Sequence, residues 1–253
     1  MLFRSGDDAL EFMKYSFVSV GVWWILFSQY TFYYLPKGNK TENKLNKSVI
    51  FNGFTELKKV YNLLNQNIRL KNFLISFFVY SMAVQTVMLI ATYFGEQEIA
   101  WSTPEESTKG LIISILLIQL VAILGAVLTS RASTKFGNIP TLIVVNLIWT
   151  IICVMAYFVT LPIHFYITAG FVGLVMGGIQ ALSRSTYSKF LPETNDTASF
   201  FSFYDVAEKI GIVIGMTIYG LIDQITGSMR NALVFLAVFF VAGLLLLLRV
   251  PKK

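Results

Sequence analysis

Charged side chains in this sequence gather around one short connection, although the surrounding segments are apolar. The segment before the connection ends with Gln180 and Arg184, and the segment after it carries Asp205, Glu208 and Lys209. On a helix, each group falls within about 100° and so forms one polar face. The two cations and two acids balance in charge. They could therefore pair as a gate, or contact a substrate or coupling ion at the mouth of a pathway.

A plainer interpretation of the same charges is also open. If the helix starts at residue 200, Asp205 and Lys209 lie very roughly 8 to 14 Å inside it, where a carboxylate needs a partner. If the helix instead starts nearer Tyr204, the charged side chains could simply reach the membrane surface. The sequence leaves both alternatives standing.

Two further sets of residues are candidates for functional or packing roles. Gln85 and Gln119 interrupt long apolar stretches, and a mid-membrane amide must bond to a neighbouring helix or to a substrate. With Gln180, they are our candidates for lining a substrate path. Glycines four residues apart allow close helix packing, and they could also let helices slide. These glycines are Gly173, Gly177, Gly211 and Gly215.

The composition is that of a membrane protein. Hydrophobic residues make up 55% of the chain and charged residues only 13%, whereas about a quarter of the residues in a soluble domain are charged. The apolar residues form blocks of about twenty, the length of helix that crosses a bilayer. Membrane strands are excluded because the blocks are too long and lack period-2 alternation. The sequence thus predicts an all-α, polytopic membrane protein.

Seven stretches meet the length requirement for a transmembrane helix. They are 12–35, 72–94, 110–130, 141–161, 163–183, 200–222 and 230–249. The connections between the last six run longer, shorter, very short, longer, shorter. That rhythm is what a three-plus-three inverted repeat would produce.

The distribution of basic residues predicts the orientation. Of the 20 Lys and Arg residues, fifteen fall on one face, four fall on the other, and Lys209 lies inside a span. The positive-inside rule places the richer face in the cytoplasm. The fifteen are Lys37, Lys40, Lys44, Lys47, Lys58, Lys59, Arg69, Lys71, Arg131, Lys135, Arg184, Lys189, Arg249, Lys252 and Lys253. The N-terminus is therefore expected outside and the C-terminus inside.

The chain divides into three predicted parts. Residues 1–35 form an outer segment and one helix, 36–71 form a cytoplasmic linker, and 72–253 form a six-helix bundle. The linker carries one apolar helical stripe, which predicts a helix on the membrane surface. Its residues are Phe54, Leu57, Tyr61, Leu64 and Ile68. A solvated loop with accidental periodicity is the alternative.

Several function classes are poorly supported by the residue types. One cysteine and one histidine cannot make a standard zinc site, which needs three or four such ligands. The sequence has neither the H-E-x-x-H motif nor the pair of mid-span aspartates that an intramembrane protease would need. We expect no enzymatic activity, no cofactor, no metal and no nucleic-acid partner.

Several segments together resemble the vacuole-effluxer, autophagy-permease-like family of the major facilitator superfamily. The most specific one is Gly-Gly-Ile-Gln-Ala-Leu-Ser-Arg-Ser at 177–185, followed by Phe-Phe-Ser-Phe-Tyr-Asp-Val at 200–206. Val84-Gln85-Thr86, Lys135-Phe136-Gly137-Asn138 and Trp23-Trp24 also match. The sequence departs from the family pattern at Met82-Ala83, where Asp-Gly is common, and at Ser130-Arg131, where the superfamily has Asp-Arg.

The resemblance implies a twelve-helix secondary transporter, of which this chain corresponds to helices six to twelve. The last six spans would then be its C-terminal bundle, and an N-terminal half of the same transporter would be the partner. It also implies movement of amino acids or similar small metabolites, in the efflux direction, with a proton or ion as a possible coupling partner. The expected location is a bacterial inner membrane. A seven-helix receptor or sensor is the alternative, although 230–249 holds no lysine for a retinal Schiff base.

The orientation can be tested with single cysteines in a Cys153→Ser background. We expect Glu105→Cys to react with an impermeant thiol reagent in intact cells and Lys44→Cys to be protected, because the basic loop faces the cytoplasm. Labelling after permeabilisation controls for the reactivity of each thiol. Labelling of position 44 with protection of position 105 would refute the orientation.

Overall fold

The computed structural model describes residues 6–35, 48–64, 66–193 and 197–251, of which the side chains of 6–10 and 48–52 are not described. All regular secondary structure in the described part is helical. The helices are α1 (Gly6–Tyr34), α2 (Ser48–Leu64), α3 (Ile68–Gln97), α4 (Pro104–Phe136), α5 (Asn138–Phe158), α6 (Pro162–Phe190), α7 (Thr197–Thr226) and α8 (Met229–Leu248). The opening residues 1–5, the linker residues 36–47 and the lysines at 252 and 253 lie outside the described residues.

Each of the seven predicted stretches coincides with one helix, but α5 ends at Phe158, three residues before the predicted end at 161. Five of these helices, α3, α4, α5, α6 and α8, are long and apolar enough to cross a membrane. The chain is therefore a multi-pass membrane protein. The helices α1 and α7 are not among the five, and α7 carries three charges between Asp205 and Lys209. The count of seven spans and the orientation stay predictions.

The helices α3, α4, α6 and α7 extend beyond their apolar stretches, whereas α5 and α8 have the predicted length. Polar residues cap several helix ends. At the start of α4, the Thr103 hydroxyl accepts from the Glu106 amide at 3.2 Å, while the Glu106 carboxylate accepts from the Ser102 amide at 2.9 Å. Ser228 caps α8 and Asn67 caps α3 in the same way. Hydropathy marks only the apolar centre of such a helix, whereas caps satisfy the free amides at its end.

The chain separates into two compact units, Met1–Val49 and Ile50–Lys253. The first contains α1, whose described apolar side chains are exposed. In the second, α2 ends at Leu64, so Ile68 of the predicted amphipathic stripe belongs to α3. Val60 and Leu64 of α2 are buried, while Phe54 and Tyr61 are exposed. Its location on a membrane surface stays a prediction.

The contacts of α3 to α8 are nearly symmetric when α3–α5 are exchanged with α6–α8. The α4–α6 contact corresponds to the α3–α7 contact. Likewise, the α3–α8 contact corresponds to the α5–α6 contact. The remaining contacts are α5 with α8, α4 with α5, α7 with α8, α3 with α6 and α3 with α4. Exchanging α3–α5 with α6–α8 reproduces these pairs with one exception. The counterpart of the α3–α4 contact is α6 with α7, and these two helices meet mainly through long side chains. This is the arrangement that the loop rhythm predicts.

The four glycines lie in two symmetry-related interfaces. A Cβ atom at Gly173 would lie 2.7 Å from the carbonyl oxygen of Ile118, and one at Gly177 would lie 2.8 Å from that of Ala122, both on α4. On α7, Gly211 and Gly215 instead face Met82 of α3. The two glycine pairs therefore do not contact each other. Each allows the backbones of one repeat pair, α4 with α6 or α3 with α7, to approach closely.

We call the end of the bundle with the α4–α5 turn the basic end and the opposite end the acidic end. At the acidic end, Arg230 of α8 holds two other helices together. Its Nε lies 2.7 Å from Glu98 Oε2, its Nη2 donates to the Glu98 carbonyl at 2.7 Å, and its Nη1 donates to the Tyr157 carbonyl at 2.8 Å. Both charged side chains are mostly buried. One guanidinium thus satisfies the C-terminal carbonyls of α3 and α5.

The glycine interfaces can be tested by adding volume at matched positions of α6. Gly177→Leu should lower stability by about 1–3 kcal/mol, since the new side chain meets α4 backbone that cannot rotate away. Gly170→Leu is the control, because no atom lies within 4 Å of a Cβ at that position. Melting temperature in detergent would be measured for both variants. Equal effects would mean that the close α4–α6 approach does not limit packing.

Candidate functional site

A polar cavity of about 180 Å³ lies between α3, α6 and α7. Four of the predicted site residues line it: Gln85 from α3, Gln180 and Arg184 from α6, and Glu208 from α7. The rest of the lining is aromatic, hydroxyl-bearing or aliphatic. These residues are Phe77, Tyr80, Ser81, Val84, Ile179, Ser183 and Tyr204.

The cavity lies near the middle of its helices, displaced towards the basic end. Counting along α3 and α7, Gln85 and Glu208 each lie within about 5 Å of the helix midpoint at 1.5 Å per residue. Arg184 and Asp205 lie further towards the basic end. A charged group at such a depth needs a partner or water.

Gln85 and Glu208 form a direct bond between α3 and α7. The Gln85 amide donates from Nε2 to Glu208 Oε1 at 2.7 Å. Sequence analysis placed these residues in separate sets, one as a path residue and one as a gate residue. The structure brings them together. The amide satisfies one oxygen of a carboxylate that would otherwise be costly at this depth.

Asp205 pairs with Arg184, one of the two cations that the sequence offered. Arg184 Nη2 lies 2.9 Å from Asp205 Oδ1, and about half of each side chain is exposed. The guanidinium also lies over the ring of Tyr204, 5.9 Å from its centroid. This ion pair joins α6 to α7 across the basic side of the cavity. Because both side chains are half-exposed, the ion pair can break without leaving a buried unpaired charge.

A buried hydroxyl pair joins α3 to α6 at the back of the cavity. The Tyr80 and Ser183 hydroxyl oxygens are 2.6 Å apart, and both residues are 1% exposed. The neighbouring Ser81 is 5% exposed, lines the cavity and has no hydrogen-bond partner in the described part of the chain. An unpaired buried hydroxyl costs free energy unless a ligand or water bonds to it.

Aromatic rings form one wall of the cavity. Phe77 of α3 stacks on Tyr204 of α7 with centroids 4.0 Å apart, and Tyr187 lies 4.9 Å from Tyr204. The Tyr187 hydroxyl donates to the carbonyl of Phe200 at 2.7 Å. Sequence analysis assigned none of these residues, nor Tyr80, to the site. One sequence signal could have identified the tyrosines: each has a hydroxyl inside an apolar stretch, and a buried tyrosine hydroxyl usually has a hydrogen-bond partner.

Two predicted site residues lie away from the cavity. Gln119 is exposed on α4 and is not part of the lining, so the structure does not place it with Gln85 and Gln180. Lys209 follows Glu208 along α7, but its side chain is exposed and makes no ion pair with the described residues. The described residues also contain no group of three or more His, Cys, Asp or Glu side chains that could hold a metal.

The comparisons agree with this architecture. Residues 3–253 match a family model described as "Vacuole effluxer Atg22 like". The chain is 29% identical to the uncharacterized MFS-type transporter YxiO of Bacillus subtilis, over 94% of this chain and 54% of that protein. It is 27% identical to autophagy-related protein 22 of Eremothecium gossypii, over 89% of this chain and 46% of that protein. The chain spans about half the length of these relatives.

The pairing of Asp205 can be tested by two double-mutant cycles. Asp205→Asn with Arg184→Gln should show a coupling on the order of 0.5 kcal/mol, because the two charges are in contact but half-exposed. Asp205→Asn with Lys209→Gln is the matched control and should be additive. Melting in detergent gives the energies. Additivity in the first cycle and coupling in the second would mean that Lys209, and not Arg184, is the partner of Asp205.

Proposed function

We propose that this chain, which belongs to the vacuole effluxer Atg22-like family, works as part of a secondary transporter of the major facilitator type. The relatives named as MFS-type transporter and as autophagy-related protein 22 support transport over the alternative of a seven-helix receptor. The observation that carries the proposal is the polar cavity near the middle of the bundle. Membrane-embedded ionisable groups cluster where a substrate or ion passes.

We propose amino acids or similar small metabolites as substrates, moved outward. The cavity offers a guanidinium at Arg184 and a carboxylate at Glu208, so it presents both signs of charge to a zwitterion. A cavity of about 180 Å³ has room for several water molecules. This suits a small polar molecule. The ring of Tyr204 adds an apolar surface for a side chain.

The proposed mechanism is rocking of this bundle against a second one. The cavity is open on one side, where Gln180 is exposed, and a bundle from the part of the relatives that this chain does not span would close it. The exposed Lys209 would meet that second bundle or the water between the two. Substrate would then compete with Gln85 for Glu208 and with Asp205 for Arg184.

Glu208 is our candidate for coupling transport to a proton or ion. It is the carboxylate nearest to the middle of the membrane in the cavity, and one neutral amide contacts it. A neutral partner leaves the carboxylate free to gain a proton or to meet a cation. The proposed orientation places the basic end, and hence the Arg184–Asp205 pair, at the cytoplasmic side of a bacterial inner membrane.

Counterflow in proteoliposomes tests the proposal. The chain would be reconstituted alone and together with an N-terminal half of the same transporter, and uptake of labelled amino acids would be measured. We expect background flux from the chain alone, since a path between two bundles loses a wall when one is absent. With both halves, Glu208→Gln should reduce flux at least tenfold, and Glu105→Gln, an exposed acid at the acidic end, should not.

The chemistry of the substrate follows from competition in the same assay. An amino acid should compete better than its amide, which lacks the carboxylate, and better than the matching 2-oxo acid, which lacks the ammonium group. Equal competition by all three would contradict recognition by Arg184 and Glu208 together. Flux from the chain alone at the level of both halves would contradict the rocking mechanism.

A further inference from the structure

A second large cavity lies at the basic end and shares no lining residue with the polar one. It is a groove of about 470 Å³ between α4 and α5, with Leu174 and Val175 of α6 as its floor. Only two of its lining residues, Thr129 and Thr141, are polar, and the Thr141 hydroxyl already donates to the Gly137 carbonyl at 2.8 Å. The groove is therefore apolar and has no part in the recognition of a polar substrate.

The turn between α4 and α5 determines where the groove begins. Only Gly137 separates the two helices, and its φ of 91° is a conformation that glycine adopts far more easily than other residues. From Phe136 beside this turn, the α4 lining runs to Gly125. Eleven residues of helix correspond to about 16 Å, which is about half of a 30 Å hydrocarbon core. The groove thus matches the depth of a single leaflet.

Three cations lie around the mouth of the groove. The Lys135 ammonium is 5.3 Å from the centroid of Phe136, a lining residue. The Lys189 ammonium donates to Asn138 Oδ1 at 3.2 Å, one residue beyond the turn. Arg131 lies four residues before Lys135 on α4, so these two exposed cations share one helix face. The basic groups therefore stand where a lipid headgroup would stand if its acyl chain lay in the groove.

No carboxylate of the surrounding helices neutralises these cations. The sequence contains no Asp or Glu between Glu106 and Glu193, a stretch that includes nearly all of α4, the whole of α5 and the whole of α6. Within the described residues, Arg131, Lys135 and Lys189 form no ion pair, whereas Arg184 on the same end pairs with Asp205. No side chain caps the start of α5, and a helix N-terminus favours an anion, although Pro140 in this first turn contributes no amide.

We propose that this groove binds an anionic phospholipid, with one acyl chain between α4 and α5 and the phosphate at Arg131, Lys135 and Lys189. Apolar lining of one-leaflet length and uncompensated positive charge at the headgroup level favour this occupant over a neutral lipid. The proposal requires only that the chain lies in a membrane. It does not depend on transport, so failure of the counterflow assay leaves it intact.

Native mass spectrometry of the purified chain tests the proposal directly. The chain in detergent would be incubated with equal amounts of phosphatidylglycerol and phosphatidylcholine of the same acyl length, and retained lipid would be counted. We expect a preference for phosphatidylglycerol. Each basic residue near an anionic membrane contributes about 1 kcal/mol, or about a fivefold change in affinity. The double variant Arg131→Gln, Lys135→Gln should therefore reduce the preference about 25-fold.

Two further variants separate the headgroup from the acyl chain. Lys109→Gln on the same helix, at the acidic end, is the matched charge control and should keep the wild-type preference. Ala132→Trp fills the groove and should lower retention of both lipids while the cations remain. Size-exclusion profile and melting temperature would establish that each variant folds. Glycerol phosphate, which carries the phosphate without the chains, should not compete.

Several outcomes would overturn the proposal. An unchanged phosphatidylglycerol preference in Arg131→Gln, Lys135→Gln would remove the headgroup site. Wild-type retention in Ala132→Trp would remove the acyl-chain site. Full competition by glycerol phosphate would indicate a phosphate site independent of lipid. A doubled mass that is lost in Ala132→Trp would assign the groove to a second copy of the chain.

Discussion

The structure depends on one constraint: a polar side chain without a partner is costly inside an apolar helix bundle. Backbone groups are satisfied within each helix, so the side chains decide which helices meet and in what rotation. Tyr80 with Ser183 joins α3 to α6, Gln85 with Glu208 joins α3 to α7, and Arg184 with Asp205 joins α6 to α7. Three polar pairs thus close a triangle of helices, and the polar cavity lies inside that triangle.

Close packing at glycine residues accompanies these three polar pairs. The glycines of α6 face α4, and the glycines of α7 face α3. These are equivalent interfaces under the exchange of the two three-helix repeats. Small residues let the backbones touch there, so dispersion over a large contact replaces the hydrophobic effect that a bilayer cannot supply.

The two ends of the bundle differ in how firmly their charges are held. At the acidic end, Arg230 is mostly buried and bonds to Glu98 and to carbonyls of two helices. At the basic end, the Arg184–Asp205 pair is half-exposed, and three further cations lie beside an apolar groove. A buried multidentate cation is costly to displace, whereas an exposed pair exchanges its partner cheaply. The acidic end is therefore suited to hold the helices and the basic end to respond to substrate or lipid.

Much of this molecule follows from the sequence alone. Blocks of apolar residues determine the helices, and the motif around Gln180 and Arg184 indicates the family, because both signals are local in the chain. The same local signals locate the Arg184 and Asp205 faces on either side of one connection. Periodicity also identifies the glycine faces of α6 and α7, since a spacing of four residues returns to the same side of a helix.

The tertiary structure alone decided which faces meet. Periodicity gives the polar face of one helix but not its neighbour, so Gln85 and Glu208, 123 residues apart, could not be paired from the sequence. Gln119 has the same residue type and a similar setting as Gln85, yet its helix rotates it away from the cavity. Tyr80 and Tyr204 resemble ordinary core aromatics until α6 and α7 pack against α3. Helix rotation is determined by the sum of contacts along all six helices, and no single stretch of sequence contains that sum.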